Sequence, residues 1–135
     1  MGQPHKTIRR VCMQEGVIIL GHGSRLPEAN EEIYAITGQV KSMGGEALYE
    51  TAFLQFGEPD LAEVIDKLNR AGVKKITVVP LLLVVGRHIQ VDLPALLEEQ
   101  KRLYPHIAFV LASHLGADRR IAEIAIDRIK QGSEI

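Results

Sequence analysis

Residues 16–30 read GVIILGHGSRLPEAN, an unbroken apolar stretch that runs into a glycine-flanked histidine and then into a polar, helix-like pattern. Val17–Leu20 has the composition of a parallel strand covered on both faces, where apolar residues follow one another without alternation. Gly21–His22–Gly23 then supplies a tight turn, and Ala29, Ile33, Ile36 and Val40 recur at the spacing of one helix face. The unit is strand, turn, helix. A loop that only had to turn could use glycine, asparagine or aspartate. An imidazole at the tightest point of the turn is either a packing detail or a group held out into a site.

The same pattern repeats along the chain. Apolar runs at Val17–Leu20, Ala47–Leu54, Ile76–Val85 and Ile107–Ala112 alternate with four amphipathic stretches. The second run, ALYETAFL, is more polar than the others and suits an edge strand. The first helical stretch stops at Gly44–Gly45. The next carries Leu61, Val64, Ile65 and Leu68, with Pro59 expected in its first turn and Gly72 at its end. Leu93, Leu96 and Leu97 follow Asp92, which places Pro94 in the opening turn of the third helix, with Pro105 beyond its far end. Ile121, Ile124, Ala125 and Ile129 mark the fourth, and Asp118 is a plausible cap. The order βαβαβαβα predicts an α/β fold: a four-stranded parallel sheet sandwiched by helices through right-handed crossovers, flavodoxin-like, with strand order 2-1-3-4. Residues 1–15 read as a flexible leader and 16–135 as a single domain.

Composition excludes several classes of function. The 135-residue chain has 16 lysines and arginines against 17 acids, a net charge of −1, which offers no electrostatic footprint for nucleic acid or an anionic membrane. No apolar run approaches a membrane span, and the first residues lack an apolar signal core. A lone cysteine, Cys12, rules out an internal disulfide and fits a reducing compartment, so a cytoplasmic protein is expected. GHGS matches neither GxGxxG nor GxxxxGK[ST], and Ser24 is not set in a GxSxG elbow, so nucleotide binding and serine catalysis are weakly supported.

Ligands of open parallel sheets bind beyond the carboxyl ends of the strands, where strand order reverses. In the order 2-1-3-4 that crevice lies between strands one and three. The loops leaving them are LGHGSR and VVGRHIQVDLP, and each carries a histidine, His22 and His88, with an arginine beside it, Arg25 and Arg87. Imidazole is a ligand for zinc, copper, iron, nickel and cobalt, and a general base near neutral pH. Two imidazoles with few neighbouring carboxylates hold a divalent ion incompletely, which suits transient handling better than a closed structural site. The bland reading of a histidine in such a loop is a hydrogen-bonded turn residue, and for His106 and His114 it is the favoured one. Exposed arginines usually only solvate a surface; beside the histidines they could also pair with carboxylates of an anionic ligand.

GHGSR, AFLQFGEPDL, VVPLLLVVGRHIQVDLP and LGADRR, taken in order, resemble the class II chelatases, specifically the small single-domain sirohydrochlorin type. The resemblance runs from about Gly16 to Ile129. It implies insertion of cobalt, ferrous iron or nickel into the tetrapyrrole sirohydrochlorin, towards cobalamin or siroheme, with no organic cofactor and with a homodimer as the working form. It implies His22 and His88 as the metal-handling and catalytic pair, and Ser24, Arg25, Gln55 and Arg87 around the substrate. Arg119 and Arg120 would add to the grip on its carboxylates. One position departs from the pattern: many relatives carry glutamate where this chain has Gln55, and an amide coordinates weakly and is no base near neutral pH. Glu50 and Glu58 are the nearest carboxylates in sequence. The competing expectations are a non-enzymatic metal or tetrapyrrole carrier using the same histidines, a flavodoxin-like nucleotide binder, and a purely structural protein.

Overall fold

A computed structural model describes residues 15–135; the expected leader, with His5 and Cys12, lies outside the described residues except for Glu15. The elements follow in the order β1 (Glu15–Gly21), α1 (Pro27–Met43), β2 (Leu48–Phe53), α2 (Leu61–Arg70), β3 (Lys75–Pro80), α3 (Arg87–Leu103), β4 (Ala108–Leu111) and α4 (Arg119–Gln131). All strand pairings are parallel, and the sheet order is β2-β1-β3-β4, as the sequence predicts.

Register sorts the strand residues onto two faces. Leu20 lies opposite Ala52, Ile18 opposite Val78 and Gly16 opposite Ile76, so these side chains share one face. They pack against Leu61, Val64, Ile65 and Leu68 of α2 and Leu93 and Leu97 of α3, which forms the principal core. On the other face Ile19, Thr51 and Phe53 are buried beside α1. There the Thr51 hydroxyl donates to the Thr37 hydroxyl at 2.7 Å, which in turn donates to the Ile33 carbonyl, so neither buried oxygen is orphaned. The Tyr34 ring meets Phe53 edge-on, centroids 5.7 Å apart.

Three boundaries differ from the sequence expectation. Pro59 precedes α2 rather than opening it. The cap is Asp60, whose carboxylate accepts the Glu63 N–H at 2.8 Å while the Glu63 carboxylate accepts the Asp60 N–H at 3.0 Å. β3 stops at Pro80 although the apolar run continues to Val85. Its neighbours end at Gly21 and Leu111, so after the Leu81 N–H has bonded the Leu20 carbonyl at 2.8 Å the chain leaves the sheet, and Leu83 and Val84 are exposed. α3 begins at Arg87, several residues earlier than expected. Pro94 therefore sits inside the helix, where it withholds one backbone donor. The helix persists across it because Leu93 and Leu97 on either side are buried in the core.

The fourth helix forms where expected, with Asp118 at its N-cap, but it buries no residue. Ile124, Ile126 and Ile129 are 48%, 51% and 74% exposed, and on edge strand β4 Val110 and Leu111 are each 39% exposed. The sandwich is complete over β2 and β1 and thin over β4.

Candidate functional site

The loops after β1 and β2 are held together by a backbone ladder that outlasts the strands. The Leu54 N–H donates to the Gly21 carbonyl at 3.0 Å, and the Gln55 N–H donates to the His22 carbonyl at 3.1 Å. Gln55 is thereby set beside His22, with its amide nitrogen 3.4 Å from the His22 Nδ1. That distance is at the weak end of hydrogen bonding, so the imidazole is neighboured rather than locked. Gly23 explains why the histidine is flanked by glycine. Its φ is +96°, and a Cβ there would overlap the Gln55 carbonyl oxygen. The turn brings two backbones too close for any side chain, and His22 projects from that junction.

Asn30 of α1 braces the same loop. Its side-chain oxygen accepts the Ser24 N–H and its amide donates to the Ser24 carbonyl, both at 2.9 Å. The Ser24 hydroxyl accepts the Leu26 N–H at 3.1 Å, an ordinary turn contact. The Arg25 guanidinium lies over the Phe56 ring, 4.5 Å from its centroid.

His88 is not in a loop, as the sequence suggested, but in the first turn of α3, after a Gly86 N-cap that has no side-chain bond. Four residues on, one turn along the same helix face, Asp92 places a carboxylate oxygen 2.9 Å from the His88 Nε2. His22, Gln55, His88 and Asp92, with Leu54, Ile89, Leu93 and Leu96, line one cavity of about 190 Å³. The topology therefore brings together His22, His88 and Gln55. Ser24, Arg25 and Arg87 are not in the wall of that cavity. Asp92 is the residue sequence reasoning missed: placing the helix start at Asp92 hid its i, i+4 relation to His88. Glu50 and Glu58 do not line the cavity either, and Glu50 pairs with Lys67 at 3.0 Å.

The remaining candidates are engaged elsewhere. His106 bonds the Asn69 side-chain oxygen at 2.7 Å. His114 lines a separate, larger cavity of about 280 Å³ between α3 and the end of β4. That cavity carries no carboxylate and no second histidine, so size alone does not mark the chemical site. Arg120 forks onto Asp118 with two contacts of 2.8 Å. This hydrogen bonding holds the Asp118 carboxyl well below the usual carboxylate range and raises the Arg120 guanidinium in turn. Burial, then a hydrogen bond with Asp66, pushes the Tyr104 phenol up. Among the described residues no three His, Cys, Asp or Glu side chains are grouped tightly enough to cage a metal ion. The cavity wall carries two imidazoles, one carboxylate and one amide.

An open parallel sheet with two histidines in one cavity beyond the carboxyl ends of β1 and β3 defines an α/β protein with its candidate site at the point where strand order reverses. The chain matches the CbiX family over residues 16–132 and belongs to it. It is 36% identical to the sirohydrochlorin cobaltochelatase of Methanopyrus kandleri, over 85% of this chain and 94% of that protein. It is 32% identical to the sirohydrochlorin cobaltochelatase of Priestia megaterium, over 89% of this chain but 39% of that longer protein. The sirohydrochlorin chelatase SirB of Bacillus subtilis, solved in complex with cobalt, superposes with a TM-score of 0.82 at 28% identity, over 88% of this chain and 51% of SirB. The chain thus spans nearly the whole of the Methanopyrus protein, but 39% of the Priestia protein and about half of SirB. No described helix is long and apolar enough to cross a membrane.

Proposed function

We propose that this chain is a chelatase that inserts a divalent metal ion into sirohydrochlorin, with cobalt as its first metal and ferrous iron and nickel as further substrates. The observation that carries the reading is the shared cavity of His22 and His88, two histidines from distant parts of the sequence brought together where strand order reverses. Family membership and the names of the relatives supply the reaction class.

The chemistry follows from the donor set. A metal ion replaces two pyrrolic protons of a flat, carboxylate-rimmed macrocycle, so the protein must offer the ion to one face and accept protons. The imidazoles of His22 and His88 are suited to both tasks. An incomplete set of protein ligands holds the ion loosely enough to give it up. The cavity is smaller than the roughly 300 Å³ at which small-molecule pockets begin, so the macrocycle lies across its mouth with the ion beneath. Arg25 and Arg87, both exposed, take peripheral carboxylates, and the Ser24 hydroxyl has its own proton free to donate to one. Gln55 contributes an amide beside His22.

On this reading residues 16–135 work as one unit in the cytoplasm, without an organic cofactor, and a second copy completes the assembly. The exposed isoleucines of α4 and the half-length match to SirB support that second copy. The test is anaerobic metalation of sirohydrochlorin by cobalt, ferrous iron or nickel, followed by absorbance with and without the protein. A rate well above the spontaneous one is expected. Stoichiometric binding with no acceleration would instead make the protein a carrier of metal or tetrapyrrole.

A further inference from the structure

We infer that Asp92 is the positioning residue of His88, fixing which ring nitrogen is left to receive the metal ion. The inference rests on the reading of His88 as a metal-handling residue. The His88 Nε2 lies 2.9 Å from the Asp92 Oδ2, one helical turn away on the same face of α3. Both residues line the cavity that also contains His22, and among the described residues Asp92 is the only carboxylate in its wall.

A neutral imidazole carries one N–H and one lone pair. A carboxylate facing Nε2 draws the N–H to that nitrogen, which leaves the lone pair on Nδ1 as the donor. Metal-binding histidines characteristically give their second ring N–H to a carboxylate or carbonyl in this way, and losing the partner weakens the metal site. The His88 side chain is 88% exposed and that of Asp92 58%, so the pair meets in a solvent-accessible part of the cavity. His22 differs: its ring neighbours are the Gln55 amide and the Gly23 carbonyl, both at about 3.4 Å. Among the described residues, Asp92 is thus the charged partner of the two imidazoles, and it acts on the metal site through His88.

The experiment measures binding of cobalt(II) chloride alone by titration calorimetry, so that it does not depend on turnover, and compares Asp92→Ala, Asp92→Asn, His88→Ala and the His88→Ala/Asp92→Ala double variant. Asp92→Ala is expected to weaken cobalt binding about 10- to 100-fold with an unchanged melting temperature, since Asp92 lies at the surface of α3. Asp92→Asn keeps an oxygen acceptor for Nε2–H and is expected to recover part of the loss. In the His88→Ala background, Asp92→Ala should cost nothing further. Binding by Asp92→Ala within about threefold of wild type overturns the inference, and so does an equal loss with and without His88. Unchanged cobalt binding by His88→Ala would remove the reading of His88 itself, and this inference with it.

Discussion

At the level of single residues, the site depends on what Gly23 lacks. Its positive φ and the proximity of the Gln55 carbonyl both forbid a side chain. Gly23→Ala is therefore expected to cost about 2–5 kcal/mol in urea unfolding, through backbone strain and forced separation of the β1 and β2 loops. A loss below about 1 kcal/mol would mean that the loop relaxes without harm. The two histidines were legible in the sequence because topology alone predicts which loops meet, whereas Gln55 was legible only through the family resemblance. Asp92 was not, because Pro94 suggested a helix opening at Asp92. Burial of Leu93 and Leu97 carries the helix through the proline, so that Asp92 faces His88 one turn earlier. The ring of Phe56 beneath Arg25 had no signal in the pattern either, since Phe56 adopts a φ of 53° that glycine or asparagine would have advertised and phenylalanine does not.

At the level of elements, the strand and helix order was readable because the apolar period changes cleanly from continuous to helical, and the edge-like polarity of ALYETAFL suited its place in a flavodoxin-like strand order. The ends were less readable: a strand stops where its neighbours stop, which no local composition records. α4 gives a pH-dependent test of one such end. Asp118 caps it by accepting the Arg120 N–H at 2.8 Å and is held below the usual carboxylate range chiefly by the Arg120 side chain. A carboxyl lowered in the folded state contributes stability that is complete above its unfolded pKa of about 4 and is lost as pH falls towards the native value. The helical chemical shifts of Arg120–Glu123 should therefore weaken only below about pH 4. In Asp118→Ala they should be weakened already at pH 7, by the loss of the cap. Identical shifts in both proteins at pH 7 would show that the cap does not hold this helix.

At the level of the whole molecule, the chain has one well-filled core and one unfilled face. α2 and α3 bury their apolar stripes, whereas α4 presents Ile124, Ile126 and Ile129 to solvent beside a short and half-exposed β4. The periodicity of Ile121, Ile124, Ala125 and Ile129 correctly indicated an amphipathic helix, but a periodicity cannot say whether the partner surface belongs to the same copy. Light scattering should find the wild type dimeric, and Ile124→Lys combined with Ile129→Lys should find it monomeric and still folded. A monomeric wild type, or a dimer that survives both lysines, would place the contact elsewhere or remove it.

The central claim is that the His22–His88 cavity performs the metalation, and it is tested most directly by initial rates of cobalt insertion into sirohydrochlorin under anaerobic conditions for wild type, His22→Ala and His88→Ala, each checked for native circular dichroism. Both folded variants are expected to lose most of the acceleration, on the order of 100-fold or more, as when a residue serves both positioning and proton transfer. Near-wild-type rates in both variants would contradict it.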